Sequence, residues 1–267
     1  MLTVTEVYDY LKSIAPPEMK MDFDNVGFLV GCAAGDANKI LLSLDITSDV
    51  VSEALELGAG LIISHHPLFF SLKSVTDTDI TGRKIVRLLS GNISAICMHT
   101  NLDAARGGTN DALAIAAGIA DDGRQAQLLC KDGTLDNGHS YSYGRVGYLN
   151  SPLTLSEYLA MLKKSLNASG LRYHDADRAV FNVAVVCGSG GGQLHHAASL
   201  GCDTFVTADI KYDVFLEAKE MGINLIDGDH FCTENLVIAP LANKLRQAFP
   251  QADVLVSKKH RQTSCFY

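Results

Sequence analysis

The sequence lacks any long uninterrupted apolar run. Its 267 residues are 47% hydrophobic, yet the apolar stretches at 61–63 and 183–186 are broken within a few residues by Ser, His or Gly. A bilayer span needs about 20 apolar residues. The first turns of the chain also lack the basic start and continuous apolar centre of a secretory signal. We therefore expect no membrane association and a cytoplasmic protein.

An excess of basic charge is also absent. The chain has 22 Lys and Arg against 30 Asp and Glu, a net charge of −8, whereas binding to a phosphate backbone needs a basic surface. Extended nucleic acid is therefore disfavoured as a partner, but a nucleotide in a pocket is not. The seven cysteines form no Cys-x-x-Cys pair, which is typical of a reducing compartment, and we assign none of them a role.

The hydrophobic periodicity predicts an α/β fold. An N-terminal helix is followed by strand-like runs that alternate with helix patterns, which is typical of βαβ units and a largely parallel sheet. The strand-like runs lie at 27–30, 40–44, 61–63 and 93–97, and the helix patterns at 49–57 and 81–89. Residues 121–143 are rich in Gly, Asp, Asn and Ser, which indicates an exposed connection. A second α/β stretch follows it.

One local pattern occurs three times, each time over twelve residues. An Ala-containing helix end is closed by Gly, and a short turn and a buried strand then lead to a polar residue. The three copies run from Ala54 to His66, from Ala197 to Asp209 and from Ala218 to His230. Because ligands of open α/β sheets bind at the carboxyl ends of the strands, the pattern predicts functional side chains at that edge.

Two adjacent histidines follow the strand predicted at 61–63. His65 and His66 would point to opposite faces of a strand, so they can reach a common site only where the strand has ended, and Pro67 supplies that ending. This placement suits two metal ions better than one. Taken singly, such a pair is more often a packed or hydrogen-bonded surface feature than a metal site.

Three further clusters follow predicted strands. His230 and Glu234 are four residues apart, which places them on one face of a helix. The same spacing lets His99 and Asp103 converge if a helical turn follows their strand, and Asp45 ends the strand at 40–44. Mixed imidazole and carboxylate ligands suit Zn, Fe, Mn or Co rather than Ca or Mg. Together the clusters predict a dinuclear hydrolytic site.

The remaining candidates are weaker. The Gly-rich loop from Cys187 to Gly192 either cradles a phosphate with its amides or forms a tight turn, and the sequence leaves both open. We interpret His195 and His196 as structural. The segments around His139, His174 and His260 offer no evident partner for these three histidines.

Five strings of the sequence resemble the Nif3-like (NGG-interacting factor three) family, whose members are often labelled GTP cyclohydrolase 1 type 2. They are Asp24-Asn25-Val26-Gly27-Phe28-Leu29-Val30-Gly31, Ser64-His65-His66-Pro67-Leu68-Phe69-Phe70, His99-Thr100-Asn101-Leu102-Asp103, Gly188-Ser189-Gly190, and Gly228-Asp229-His230 with Thr233-Glu234. The family often has Trp where this chain has Phe23 and His near Asp213, and neither departure removes a proposed ligand.

The resemblance implies a ligand set and an assembly. His65, Asp103 and Glu234 would hold one divalent ion, His66 and His230 would complete a second, and a carboxylate would bridge them. His99 and Asp45 would be additional ligands, or they would contact the ligands without binding an ion themselves. The family fold implies two α/β domains, the second inserted in the first, and a ring-shaped homohexamer. The first domain would span 1–124 and 223–267, and the inserted domain 125–222.

The resemblance also implies an activity. Water activated by two divalent ions would open the imidazole ring of GTP, with Asp45 or His99 as candidates to assist proton transfer and no dedicated general base evident. Two alternatives stay open from the sequence: a hydrolase of phosphoesters or amides, and a metal-holding or partner-binding protein without turnover. We expect a small-molecule substrate or a flexible end, and a homo-oligomer whose sites face an enclosed space.

Overall fold

The computed structural model describes residues 1–119 and 126–267. The described chain forms two compact units, one from residues 1–105 and 237–261 and the other from 106–236 and 262–267. Within these described ranges, no helix combines the length and the hydropathy that a membrane span requires.

Both units combine strands with helices, which confirms the predicted α/β class. The strands are β1 (Gly27–Val30), β2 (Lys39–Ser43), β3 (Leu61–Ser64), β4 (Ser94–Cys97), β5 (Gln127–Leu128), β6 (Gly133–Thr134), β7 (Ser140–Tyr141), β8 (Arg145–Leu153), β9 (Arg172–His174), β10 (Val180–Val185), β11 (Thr204–Thr207), β12 (Asn224–Asp227) and β13 (Asp253–Val256). The helices are α1 (Val4–Ile14), α2 (Ser48–Leu57), α3 (Ile80–Ser90), α4 (Thr100–Ala104), α5 (Thr109–Ala116), α6 (Leu155–Ser165), α7 (Leu194–Ser199), α8 (Tyr212–Met221), α9 (His230–Glu234) and α10 (Ile238–Ala248).

The first unit is built on a five-stranded sheet of order β1-β4-β3-β2-β13. All neighbours pair in parallel except β1, which runs antiparallel to β4. Every residue of β3 and β4 is buried, as expected for central parallel strands covered on both faces. The carboxyl ends of β2, β3, β4 and β13 therefore share one edge, and the chain segments that follow them meet there.

The second unit is built on a six-stranded sheet of order β5-β8-β10-β11-β12-β9. Strands β10, β11 and β12 are parallel, so their carboxyl ends also share an edge. The expected return to the first domain at residue 223 differs from the structure, because β12 pairs with β11 and its helix α9 stays in this unit. The expected boundary at 124/125 lies outside the described residues.

The threefold local pattern is present in the structure. Helices α2, α7 and α8 lead through Gly58, Gly201 and Gly222 to strands β3, β11 and β12. All three glycines have a left-handed backbone, with φ of 65°, 73° and 65°, where a side chain is unfavourable. Each strand then delivers a polar side chain at its carboxyl end, so local sequence places these residues correctly.

Candidate metal centre

The first candidate ligands follow β3 in the first unit. After Ser64 the chain leaves the regular ladder, and the amides of His65 and His66 both donate to the carbonyl of Leu44, at 3.1 and 2.9 Å. Because alternation of side chains stops at this point, the two imidazoles lie beside each other with ring centroids 5.2 Å apart. His65 is buried and His66 half-buried.

His99 and Asp103 join this pair from the end of β4. A helical turn, α4, follows that strand, and the Asp103 amide donates to the His99 carbonyl at 3.0 Å. The His99 ring lies 5.2 Å from that of His65 and 5.4 Å from that of His66. The Asp103 carboxylate approaches His65, with Oδ1 3.4 Å from Nε2. The structure thus brings all four predicted residues together in the first unit.

Each of the three imidazoles has an oxygen acceptor at Nδ1. The contacts are His65 Nδ1 to the Met98 carbonyl at 2.8 Å, His66 Nδ1 to Asp45 Oδ1 at 2.7 Å, and His99 Nδ1 to Asp24 Oδ1 at 2.9 Å. Histidines that bind metals usually donate the other ring N–H to a carboxylate or carbonyl, which fixes the tautomer and the ring orientation. Here that arrangement makes Nε2 the atom that can coordinate an ion.

The carboxylates behind these rings are held in the ionised form. Burial opposes the charge of Asp24, but hydrogen bonds from His99 and Thr100 outweigh it and lower the pKa of Asp24 to about 2. Burial also opposes the charge of Asp45, and the hydrogen bonds from His260 and His66 lower its pKa well below the ordinary range. Both groups therefore accept the Nδ1 protons at neutral pH.

The donor set of the first unit fits a divalent transition metal. His65, His66 and His99 each offer a ligand atom, and these atoms lie within 4.8 Å of one another. Imidazole nitrogen with a nearby carboxylate is the ligand chemistry of Zn, Fe, Mn and Co. The nearby thiol of Cys97 is turned to the main chain instead: its Sγ donates to the His65 carbonyl at 3.0 Å, and burial raises its pKa well above the ordinary value.

The second unit contributes a His and Glu pair on the short helix α9. His230 Nε2 lies 3.0 Å from Glu234 Oε2, and His230 Nδ1 lies 2.7 Å from Asp209 Oδ2. Burial opposes the protonated imidazole, but the hydrogen bonds and charges of Glu234 and Asp209 outweigh it and raise the pKa of His230 to about 9. A divalent ion at His230 Nε2 would replace the proton that faces Glu234, and Asp209 would keep its hydrogen bond with Nδ1.

An unusual backbone begins α9. Asp229 has φ 70° and ψ 135°, a region that non-glycine residues rarely occupy and that is often kept at functional sites. Its side chain accepts a hydrogen bond from the Cys232 amide at 3.1 Å and from the Gln262 side chain. This cap fixes the first turn of the helix that carries His230 and Glu234.

The Gly-rich loop makes room for Glu234. Gly188 has φ 58°, and a Cβ built on it would lie 2.1 Å from Glu234 Oε1 and 3.3 Å from His230 Cε1. The Gly188 amide donates to Thr233 Oγ1 and the Gly190 amide to Thr207 Oγ1, at 3.2 and 2.9 Å. Since these two amides bond within the protein, the geometry favours the tight-turn interpretation over a phosphate cradle.

Sequence reasoning missed several of the supporting residues. Asp24 and Asp209 had no assigned role, although Asp24 opens a family string and Asp209 ends the second copy of the local pattern. His260 was expected to lack a partner, and this was wrong: its Nε2 lies 3.0 Å from Asp45 Oδ2. Asp45 bonds to two imidazoles, which places it behind His66.

Comparison with known proteins identifies the family of the chain. The family model Duf34/NIF3 (NGG1p interacting factor 3) matches residues 2–263. Two relatives carry the name "GTP cyclohydrolase 1 type 2 homolog", and each is 34% identical to this chain. The Clostridium perfringens protein aligns over 97% of both chains. The Clostridium acetobutylicum protein aligns over 92% of this chain and 91% of its own.

Solved structures share the fold. A Bacillus cereus protein related to NIF3 matches with a TM-score of 0.90 at 24% identity, over 100% of this chain and 99% of its own. A hypothetical Staphylococcus aureus protein matches with a TM-score of 0.90 at 27% identity, over 99% of both chains. With the family match spanning nearly every residue, this chain belongs to the Duf34/NIF3 family.

Proposed function

We propose that this protein is a metal-dependent hydrolase that holds two divalent ions per subunit. The observation that carries the proposal is that each candidate histidine has an oxygen acceptor at Nδ1. The ligands are His65, His66, Asp103, His230 and Glu234, and the ions are Zn, Fe, Mn or Co. The names of the two Clostridium relatives support a purine nucleotide such as GTP as the substrate.

The protein side chains prepare the ligands before an ion binds. Asp24, Asp45 and Asp209 hold a proton at Nδ1 of their histidines, so each ring presents the lone pair of Nε2. Asp103 and Glu234 supply negative charge that offsets the charge of the ions. When bound, such ions lower the pKa of a coordinated water to about 7 and so provide a nucleophile at neutral pH.

The proposed setting is a cytoplasmic homo-oligomer, a hexamer as in the ring-forming family. Phe23 and Phe70 support an assembly that covers apolar surface: they are 64% and 57% exposed, with ring centroids 6.2 Å apart. Phe69, by contrast, packs against the core of the first unit. Exposed aromatic pairs of this kind are typical of interaction surfaces.

The experiment measures metal content and turnover on the same preparations. The protein is loaded with Zn, Mn, Co or ferrous iron, dialysed, analysed for metal per chain, and assayed with GTP and with a panel of phosphoesters and amides. Glu234→Gln is the test variant. Glu217→Gln is its matched control, because Glu217 forms the same kind of 3.0 Å pair with His195 on an exposed surface.

We expect two ions per chain in the wild type and in Glu217→Gln, and fewer in Glu234→Gln. Ring opening of GTP that follows metal content supports the cyclohydrolase. Turnover of another panel member supports the alternative hydrolase. Two bound ions with no turnover of any substrate favour a metal-holding protein, and a wild-type chain that retains no ion contradicts the proposal altogether.

A further inference from the structure

We propose that His260, in the segment after the last strand, positions His66 through Asp45. The inference rests on the proposed function, because it assigns to this pair the task of presenting His66 Nε2 to an ion. His260 is therefore a positioning residue, and it acts on a ligand that lies far earlier in the chain.

The contact chain is continuous. His260 Nε2 lies 3.0 Å from Asp45 Oδ2 and 3.2 Å from the Asp45 amide nitrogen. With its Nε2 proton on the carboxylate side, His260 donates to Oδ2, while the other carboxylate oxygen, Oδ1, lies 2.7 Å from His66 Nδ1. Each oxygen of Asp45 thus has its own imidazole. An ionised carboxylate held at both oxygens cannot rotate without breaking one of two charge-assisted hydrogen bonds.

His66 depends on such a partner more than its neighbours do. The Nδ1 acceptor of His65 is a main-chain carbonyl, which the fold itself fixes. The acceptor of His99 is Asp24, whose side chain is 0% exposed and accepts from the amides of Thr100 and Asn25. The Asp45 side chain is 40% exposed, so it needs a second partner to stay in place.

His260 is well placed to be that partner, because its position is fixed by contacts other than that with the Asp45 carboxylate. Its side chain is only 8% exposed, and its amide donates to Ser257 Oγ at 3.1 Å. Ser257 Oγ in turn donates to the Glu53 carboxylate.

Glu53 secures the whole segment. Its carboxylate also accepts from the amides of Lys258 and Lys259, at 2.9 and 3.2 Å. Burial opposes its charge, but these hydrogen bonds and that from Ser257 lower the pKa of Glu53. The turn that carries His260 is therefore anchored to helix α2 whether or not Asp45 is present.

The consequence concerns the tautomer of His66. A neutral imidazole carries its proton on either nitrogen, and an acceptor fixed at Nδ1 selects the form that leaves a lone pair on Nε2. Without His260 the Asp45 carboxylate is expected to turn toward solvent. His66 would then lose its acceptor, and the fraction of the tautomer that can bind an ion through Nε2 would fall.

The test compares three substitutions of His260. His260→Ala removes the donor, and His260→Asn retains an amide that is too short to reach Asp45. His260→Gln restores a donor close to the position of Nε2, so it should rescue the other two. His139→Ala, at an exposed histidine of the second unit, is the control for loss of an imidazole.

Two readouts are taken on folded protein, whose integrity is checked by urea unfolding. Nitrogen-15 chemical shifts of the imidazoles report the tautomer of His66 in metal-free protein, and calorimetric titration with Zn or Co reports affinity. We expect His66 to be protonated on Nδ1 in the wild type, His260→Gln and His139→Ala, and to lose that preference in the Ala and Asn variants. Metal affinity should fall on the order of threefold to tenfold, less than for direct loss of an outer partner.

The two proposals fail in different ways. An unchanged His66 tautomer in both His260→Ala and His260→Asn overturns the positioning role, whatever the metal does. A changed tautomer with no metal binding in the wild type supports the positioning role and overturns the proposed function. A loss of metal affinity that His260→Gln does not restore also overturns the positioning role, because a donor to Asp45 would then be insufficient.

Discussion

Gly188→Ala should displace Glu234 from its present position without replacing any polar side chain. The new Cβ would lie 2.1 Å from Glu234 Oε1, whereas real Cβ contacts essentially never fall below 3.0 Å. The carboxylate therefore has to move by about 0.9 Å, the difference between these distances. The clash with His230 Cε1, at 3.3 Å, is milder and is relieved by a few tenths of an ångström.

This displacement is large compared with the tolerance of a metal site. Bonds from a carboxylate oxygen to zinc are about 2.0–2.2 Å long, with a tolerance of about 0.2 Å. A shift of about 0.9 Å thus removes one ligand, and we expect metal affinity to fall by at least about tenfold to 100-fold. The substitution should also lower the free energy of unfolding by about 1–2 kcal/mol through backbone strain, because Gly188 has a left-handed backbone.

Two other glycines separate the clash from the strain. Gly201 has φ 73° and no atom within 4 Å of the point that a Cβ would occupy, and Gly192 has the same open space without a left-handed φ. Gly201→Ala should lower the free energy of unfolding by about 1–2 kcal/mol and keep its metal. Gly192→Ala should change neither the free energy of unfolding nor the metal affinity. Calorimetric titration and urea unfolding measure both quantities, and wild-type metal affinity in Gly188→Ala would refute the reasoning.

Three further outcomes are expected. Glu53→Gln should lower the free energy of unfolding by about 1–3 kcal/mol at pH 7, while the exposed Glu56→Gln should cost about 1 kcal/mol or less. Because folding lowers the pKa of Glu53, the stabilisation by its carboxylate is fully present above the unfolded-state pKa of 4.5 and is lost as pH falls through the folded-state value. Urea unfolding at several pH values should therefore show the free energies of unfolding of the two variants converging at low pH. Glu234→Gln should cost more metal on dialysis than His99→Ala, and equal retention would make Glu234 an ordinary helix residue. Light scattering should give an oligomer, and a mass near 28.6 kDa at micromolar concentration would contradict the assembly.

Local chemistry accounts for the parts of the site that were predicted from sequence. Pro67 ends the run after β3, so His65 and His66 leave the alternation of a strand together. The spacing of His230 and Glu234 matches one turn of helix, and the structure has that helix. These features depend on backbone periodicity within a few residues, which the residue pattern encodes directly.

The supporting partners could not be read from local pattern. Asp24 lies 75 residues from His99, and Asp45 lies 215 residues from His260. A hydrogen bond over such a separation depends on the order of strands in the sheet and on where the last strand ends. The pairing of β13 with β2 brings the segment of His260 to the strand end of Asp45.

The sequence by itself determined the α/β class, the glycine-capped helices and the strand ends that carry imidazoles and carboxylates, because helix and strand periods and the left-handed preference of glycine are local properties. Tertiary structure alone decided that β12 and the helix α9 that follows it belong to the second unit. It also decided that Gly188 makes space for a carboxylate and that Asp45 lies between two imidazoles. These outcomes depend on which buried surfaces pack together and on which distant donor satisfies each buried acceptor. No pattern within a short stretch of chain contains that information.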